Sequence, residues 1–236
     1  MKKAKNLNSV EELDLLENLF EFIVPKYREA HDIIVSMLDS TGQQNLRIAD
    51  LGCGFGELSK RILQMIPGSI VFGLDNNPRI LKKCRERLAD YGDRFMPFER
   101  NLNRSDWYND FLPLDAIVSS FTLDYLTLDR HKRLISEVFS SVNPQGRFIT
   151  CEFFKSGDER INRVFHDLEI QFIHNSLNQG KVTKEQIDQL TKSDVLRQDH
   201  HICTVDTKVE WLRTAGFDRV EVPWRFLNLA VISAVR

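Results

Sequence analysis

The stretch Ile48-Ala-Asp-Leu-Gly-Cys-Gly-Phe-Gly-Glu57 decides the fold, because an apolar strand here turns sharply into an amphipathic helix. Glycines occupy alternate positions 52, 54 and 56 of the turn. They permit a tight bend and let a ligand approach the backbone closely. A glycine-rich turn from strand to helix is typical of the first unit of a doubly wound α/β sheet.

The charges around this turn indicate which ligand it binds. A dinucleotide-binding turn has another glycine at the position of Glu57. A pyrophosphate would be repelled by Asp50 at the strand end and by Glu57 at the helix start. The same carboxylates attract a ligand that carries an ammonium and a sulfonium. S-adenosylmethionine (AdoMet) has both groups, so the turn favours AdoMet over NAD.

A second acid follows at the end of the next predicted strand. The run Val71-Phe-Gly-Leu-Asp75 is apolar up to its final carboxylate. An acid at this place can accept hydrogen bonds from both hydroxyls of a ribose. Its structural alternative is a cap or turn residue before the next helix. With the glycine-rich turn upstream, ribose binding is the favoured interpretation of Asp75.

Short apolar runs alternate with amphipathic segments from Leu46 onward. The runs are Arg47–Leu51, Ile70–Leu74, Arg94–Phe98, Ala116–Ser120 and Arg147–Cys151, and the helical segments include Glu57–Met65, Arg79–Leu88 and His131–Val142. This alternation predicts a parallel, doubly wound sheet with right-handed crossovers.

The C-terminal region has a different pattern. Gly216 is expected to end a helix, and the strands Arg219–Val222 and Leu227–Ala234 follow it. Their connection, Pro223-Trp224-Arg225, is too short for a crossover and predicts an antiparallel hairpin. We therefore predict a mostly parallel, seven-stranded, Rossmann-like sheet with a C-terminal hairpin.

Helical segments precede and interrupt this sheet. We predict an N-terminal helical cap at residues 1–44 and an AdoMet-binding domain at 45–236, with a helical insert at about 153–203. The second helix of the insert is expected to start at Thr183, where Gln186 completes a capping box. The insert is either a lid over the ligand or a packing element.

Length, composition and net charge limit the classes of function that we expect of this chain. The 236 residues, 42% of them hydrophobic, suit one elaborated α/β domain. No apolar run is long enough for a membrane helix, and the N-terminus does not resemble a secretory signal. The four cysteines form no CxxC pair, so we expect no metal site and a cytoplasmic location. A net charge of −2 does not favour a nucleic-acid partner.

The ordered motifs resemble those of the class I AdoMet-dependent methyltransferases over roughly residues 45–236. The matching stretches are Asp50–Gly56, Gly73–Asp75, Asp115–Leu123, Asn143–Arg147 and Ala215–Phe217. The resemblance implies an enzyme that takes AdoMet as its cofactor. It also implies a set of cofactor-binding residues: Asp50, Gly52 and Gly54 at the methionine end, Asp75 and Asn76 at the ribose, and Asn101, Leu102 and the Ser119 carbonyl at the adenine. Tyr27 is a further candidate that would close over the donor.

A weaker similarity links the chain to the carboxy-AdoMet-using enzymes of tRNA wobble-uridine modification. It is carried by Val24–Tyr27, Phe121–Leu123, Ala215–Phe217 and the late segment Phe226–Leu229. The resemblance places Trp211 where those enzymes have the arginine that binds the extra carboxylate. An indole cannot replace a guanidinium as a carboxylate clamp. We therefore expect plain AdoMet as the donor.

The acceptor side of the site is less well indicated, because methyl transfer mainly requires alignment of the reacting atoms. Asp124 follows the fourth strand and is the first candidate catalytic residue, as a proton acceptor or an amine partner. Its alternative is a capping or solvated acid. Tyr125 is the second candidate. Trp224 and Arg225 are candidate substrate residues that suit an aromatic or anionic acceptor, or else they pack against the insert.

Three functions remain open at this point. The main hypothesis is methyl transfer from AdoMet to a small-molecule acceptor. The second is a tRNA-nucleoside modification enzyme that uses AdoMet or carboxy-AdoMet, and the third is a non-catalytic AdoMet-binding protein. The sequence identifies neither the acceptor atom nor the oligomeric state.

Overall fold

The computed structural model describes residues 19–39, 42–192 and 200–236. Its strands are β1 (Arg47–Leu51), β2 (Ile70–Asp75), β3 (Phe95–Glu99), β4 (Leu114–Ser120), β5 (Val142–Phe153), β6 (Arg219–Phe226) and β7 (Leu229–Val235). Its α-helices are α1 (Tyr27–Asp39), α2 (Glu57–Met65), α3 (Pro78–Arg87), α4 (Leu128–Ser141), α5 (Glu159–Asn178), α6 (Lys184–Lys192) and α7 (Val205–Ala215). The first part of the predicted N-terminal cap, residues 1–18, lies outside the described residues. Of the helices described here, none is long and apolar enough to cross a membrane.

The seven strands form one sheet in the order β3-β2-β1-β4-β5-β7-β6. Strands β1 to β5 pair in parallel, whereas β7 is antiparallel to both β5 and β6. Strand β6 therefore runs in the same direction as the parallel strands and ends at their carboxyl edge. This topology confirms the predicted mostly parallel sheet with a C-terminal hairpin.

The hairpin turn is not where the sequence placed it. Residues 223–225 lie inside β6, and residues 227–228 form the turn. The pairing register shifts between Glu221 and Trp224, which indicates a bulge around Pro223. A bulge at an edge strand tolerates a proline, which has no N–H for the ladder. The turn prediction was wrong because the bulge keeps Pro223 inside the strand.

Two predicted helix signals are confirmed. Gly216 ends α7 with φ 113°, a left-handed conformation that glycine adopts without strain. At the start of α6, the Thr183 N–H donates to Gln186 Oε1 at 2.7 Å. The Gln186 N–H donates in return to Thr183 Oγ1 at 3.2 Å, which completes the predicted capping box.

The described residues divide into two compact units, a sheet unit (29–39, 42–155 and 201–236) and a helical unit (19–28, 156–192 and 200). Side chains alternate between the two faces along each strand of the sheet unit, and residues paired in register on neighbouring strands lie on the same face. Ala49, Phe72, Ile117 and Phe148 share one face by their register and belong to one buried core cluster, as do Leu134 of α4 and Leu212 of α7. Helices α4 and α7 thus cover this face.

Candidate functional site

The turn between β1 and α2 has the conformation that its glycines predict. Gly52, Gly54 and Gly56 have φ values of 70°, 54° and 82°, which other residues rarely adopt. A Cβ atom at Gly52 would lie 2.1 Å from the side chain of Thr122, and one at Gly56 would lie 2.7 Å from Cys84 Sγ. A Cβ atom at Gly54 would meet nothing within 4 Å. The backbone at Gly54 therefore borders open space that a ligand can enter.

Asp50 lies near the end of β1 and is only 1% exposed. Its Oδ2 accepts a hydrogen bond from Ser59 Oγ at 2.6 Å. Burial raises the pKa of Asp50 to about 7; the hydrogen bond from Ser59 acts against this, and the charge of Asp75 adds to it. A cation bound nearby would favour the ionised carboxylate. The ionisation of Asp50 would therefore depend on whether a cation lies beside it.

Asp75 ends β2 and contacts the glycine-rich turn directly. Its Oδ2 accepts from the Gly54 N–H at 3.2 Å, and its Oδ1 accepts from the Asn77 N–H at 2.9 Å. Burial raises the pKa of Asp75, against the hydrogen bonds that its carboxylate accepts. The cap of α3 is Asn77, whose Oδ1 accepts from the first N–H groups of that helix. Asp75 is therefore not the cap of α3, but its bond to the Asn77 N–H forms the turn that the structural alternative expected, and ribose binding stays a prediction.

The predicted adenine-side residues follow β3. Asn101 Oδ1 accepts from the Asn103 N–H at 2.9 Å, so the Asn101 side chain already shapes its own turn. Leu102 is buried in the core cluster. Its carbonyl accepts from Arg130 Nε at 2.6 Å. Arg130 was not singled out from the sequence, because nothing in the spacing links position 130 to position 102. The remaining ribose candidate, Asn76, is exposed.

The end of β4 is joined to the glycine-rich turn. Ser119 is fully buried, and its Oγ donates to the Leu51 carbonyl at 2.9 Å. Thr122 Oγ1 lies 3.1 Å from the Gly52 carbonyl and 3.0 Å from the Ser120 carbonyl. These hydroxyls hold the carboxyl ends of β1 and β4 together. The backbone of Ser119 is thereby placed at the sheet edge where the glycine-rich turn begins.

A histidine that the sequence analysis did not select also reaches this edge. His31 of α1 lies with its Nε2 2.7 Å from Ser120 Oγ. Burial lowers the pKa of His31 to about 3, and the charge of Arg61 adds to this shift. The imidazole is therefore neutral at physiological pH. Its ring also contacts Phe121 at 6.1 Å between centroids, and Phe121 has a left-handed backbone with φ 52°.

The catalytic candidates Asp124 and Tyr125 lie in a short 3-10 helix after β4. Asp124 is 2% exposed, and its carbonyl accepts from the His201 N–H at 2.7 Å. It is neither a solvated acid nor the cap of α4, which is Thr127. Burial raises the pKa of Tyr125, and the charge of Asp124 adds to this. The Tyr125 phenol therefore stays protonated at neutral pH.

The remaining candidates lie on β6 and α1. Trp224 and Arg225 are in β6, separated from β4 in the sheet by β5 and β7. Trp224 Nε1 donates to Glu29 Oε1 of α1 at 2.9 Å, and Arg225 is exposed. Tyr27, at the start of α1, packs edge-to-face against Phe20 with ring centroids 5.3 Å apart. None of these contacts assigns a ligand to the three residues.

Comparison with known proteins finds a family model that matches part of the sheet unit. Residues 49–148 match the family model of the methyltransferase domain. Two curated relatives are carboxy-S-adenosyl-L-methionine synthases. The one from Pectobacterium atrosepticum is 23% identical over 227 residues, covering 94% of this chain and 88% of the relative. The one from Hamiltonella defensa is 24% identical over 225 residues, covering 93% and 84%.

Solved structures show the same fold. Magnesium protoporphyrin IX methyltransferase from Synechocystis, crystallised with S-adenosylhomocysteine (SAH), superposes with a TM-score of 0.65 at 18% identity, covering 96% of this chain and 95% of that one. An O-methyltransferase family protein from Burkholderia thailandensis gives 0.61 at 16% identity, covering 96% and 67%. These likenesses confirm the predicted fold class.

Proposed function

We propose that this chain, an AdoMet-dependent enzyme of the class I methyltransferase type, transfers the methyl group of AdoMet to a small-molecule acceptor. The observation that carries the proposal is the arrangement of Asp50 and Asp75 around a turn whose Gly54 faces open space. Two carboxylates beside an accessible glycine-rich backbone suit a cationic nucleoside and disfavour a pyrophosphate.

Each part of the donor would have its own neighbours in this site. The ammonium of AdoMet would pair with Asp50, a carboxyl whose pKa is raised by burial. The ribose hydroxyls would bind Asp75, with Asn76 beside it. The adenine would lie against Asn101 and Leu102, with its amino group toward the Ser119 carbonyl. The backbone of Gly52 and Gly54 would border the methionine end.

In the transfer, the bond between sulfur and methyl carbon breaks as the acceptor forms its bond to that carbon, and SAH leaves. The enzyme contributes mainly by aligning the three atoms. An acceptor that carries a proton must also lose it. Tyr125 is held in its protonated form, so Asp124 is the better proton acceptor of the two.

A second candidate function is the synthesis of carboxy-AdoMet. The curated relatives carry that name and match over most of their own length. Residue 211 argues against it. Trp211 packs against the core cluster and against the His131 ring at 5.7 Å between centroids. It offers no guanidinium for the extra carboxylate of carboxy-AdoMet, so we favour methyl transfer over the synthesis of carboxy-AdoMet.

The acceptor is proposed to be a small molecule, because a net charge of −2 gives little attraction for a phosphate backbone. Trp224 and Arg225 are the residues that would contact it, through an apolar surface and a planar cation. Their position on β6, at the carboxyl end of a strand parallel to β1, is compatible with this role.

Calorimetry with AdoMet and SAH tests the donor site. We expect Asp75→Ala to weaken binding by about 1.5–3 kcal/mol, since the buried ribose hydroxyls lose a charged partner. Asp90→Ala is the matched control, because Asp90 is an exposed acid outside the proposed site. Equal affinity in the wild type and in Asp75→Ala would remove the ribose assignment.

Turnover with methyl-labelled AdoMet tests the acceptor class. A cell extract would be divided into a small-molecule fraction and an RNA fraction, and each would be incubated with the enzyme. Label in the small-molecule fraction is the expected result. Label in the RNA would favour a tRNA-modification enzyme. A native mass spectrum that shows bound carboxy-AdoMet would favour the second candidate.

A further inference from the structure

A buried arginine fixes the loop that follows β3. Arg130 lies in the first turn of α4 and is 5% exposed. Its Nε donates to the Leu102 carbonyl at 2.6 Å, and one Nη2 hydrogen is directed at the Arg104 carbonyl at 2.7 Å. Both acceptors are backbone atoms, so these bonds constrain the course of the chain itself.

The guanidinium is in turn held by its own partners. Glu137, two turns later on α4, accepts from Nη1 and from Nη2 of Arg130, each at 2.7 Å. Trp107 Nε1 donates to the same carboxylate at 2.8 Å. The planar guanidinium makes two parallel hydrogen bonds to the Glu137 carboxylate, and these fix its orientation. A lysine ammonium could not make this paired contact. We call Arg130, Glu137 and Trp107 the loop clamp.

The clamped loop begins at the donor site. The Arg100 N–H donates to the Asp75 carbonyl at 2.8 Å, and residues 100–107 have no regular secondary structure. A loop without a ladder of hydrogen bonds needs other contacts to keep one conformation. The clamp supplies them at residues 102, 104 and 107.

We propose that Arg130 is a positioning residue that sets the adenine side of the donor site through the Leu102 and Arg104 carbonyls. This inference rests on the proposed function, in which Asn101 and Leu102 border the adenine. Arg130 does not itself contact the nucleotide. It fixes the backbone that borders the adenine.

A purely structural role is the competing explanation. Buried ion pairs contribute little net stability compared with apolar residues of similar volume. Removing only one partner is costly, because it leaves a buried charge unpaired. A test must therefore remove the pair together and follow stability and nucleotide recognition separately.

The experiment compares Arg130→Met with the double variant Arg130→Met/Glu137→Gln. The double variant leaves no unpaired charge, and its new side-chain amide oxygen can still accept from Trp107. The thermal midpoint is measured for each protein, together with calorimetric Kd values for SAH and for S-inosylhomocysteine, in which an oxygen replaces the adenine amino group. Arg130→Lys tests partial rescue. Arg133→Met, which changes an exposed arginine on the same helix, is the control.

We expect the double variant to recover most of the thermal midpoint that Arg130→Met loses, while its SAH affinity stays at least about tenfold below that of the wild type. Its preference for SAH over S-inosylhomocysteine should also shrink, and Arg130→Lys should be intermediate. Recovery of SAH affinity together with the thermal midpoint would overturn the proposal, as would an unchanged base preference. Failure of the wild type to bind SAH would instead refute the proposed function.

Discussion

Two buried charge clusters lie on the face of the sheet that α4 and α7 cover, and their cations have different partners. The loop clamp joins an arginine to a carboxylate and to two backbone carbonyls. The second, which we call the lysine cluster, consists of Lys208 of α7, Glu152 of β5 and His131 of α4. Lys208 is fully buried, and its Nζ lies 3.3 Å from both carboxylate oxygens of Glu152 and in contact with His131 Nε2.

The chemistry of the lysine cluster centres on charge balance. Burial raises the pKa of Glu152; Lys208 acts against this shift, and the nearby Asp124 carboxylate adds to it. Burial also lowers the pKa of His131 well below its usual value, with a further contribution from Lys208. The imidazole is therefore neutral and accepts from the ammonium. Lys208 thus compensates Glu152 in a region that also contains Asp124.

The difference between the clusters lies in what each cation contacts. Arg130 forms directed bonds to the backbone of a loop, whereas the Lys208 ammonium contacts side chains on elements that already have regular structure. We therefore expect damage to the loop clamp to alter nucleotide recognition. Damage to the lysine cluster should lower stability and leave recognition in the folded protein unchanged.

The largest effect is expected for Lys208→Met. Removing the ammonium leaves the buried Glu152 carboxylate without its cation, which typically costs about 3–5 kcal/mol. Urea denaturation measures the loss. The double variant Lys208→Met/Glu152→Gln should recover much of it, because no charge is left unpaired. If Lys208→Met keeps its stability but binds SAH about tenfold more weakly, the distinction between the two clusters is wrong.

A smaller effect is expected for Trp107→Phe in the loop clamp. The phenyl ring keeps most of the buried aromatic surface but removes the indole N–H that bonds to Glu137. A hydrogen bond to a charged group contributes about 1.5–3 kcal/mol. Arg130 still holds the carboxylate, so SAH affinity should fall less than in Arg130→Met. Tyr108→Phe, which changes a nearby half-buried aromatic that packs against Trp107, is the control. An SAH affinity as low as that of Arg130→Met would contradict this ranking.

The conformation of the glycine-rich turn could be predicted from the sequence because its signals are local. The glycines at 52, 54 and 56 constrain the backbone directly, and Asp75 ends a short apolar run. The parallel pairing of β1 to β5 likewise follows from the alternation of strands and helices, since parallel strands need crossovers. The hairpin turn was missed because a bulge can hold Pro223 within an edge strand, and a bulge leaves no simple sequence pattern.

The two charge clusters could not be predicted, because their members are distant along the chain. Arg130 meets the Leu102 carbonyl only after α4 has packed against the sheet, and Lys208 meets Glu152 only when α7 lies over β5. A lone lysine or arginine on a helix is more often a solvated residue than a buried one. Burial and bond geometry, which a single sequence does not contain, distinguish the two cases. The roles of Asp124, Tyr125, Trp224 and Arg225 stay predictions for the same reason.

The smallest predicted effect concerns pH and separates the clusters further. Because the folded-state pKa of Glu152 is raised, the native protein binds its proton more tightly than the unfolded chain does. Stability therefore falls as pH rises from the unfolded pKa of glutamate toward the folded one. Without Lys208, the pKa of Glu152 rises further, so the fall should continue to higher pH.

Denaturation of Lys208→Met at a series of pH values tests this dependence. We expect the variant to lose more stability than the wild type as the pH rises above the unfolded pKa of glutamate, with a slope no steeper than the limit of about 1.4 kcal/mol per pH unit for one proton. Lys208→Met/Glu152→Gln should lack the additional fall, because it lacks the titrating carboxyl. The pH dependence of stability is also measured for Arg130→Met, a variant of the loop clamp that leaves the pairing of Lys208 with Glu152 in place. The same additional fall in the double variant would show that a group other than Glu152 titrates, and would contradict this prediction.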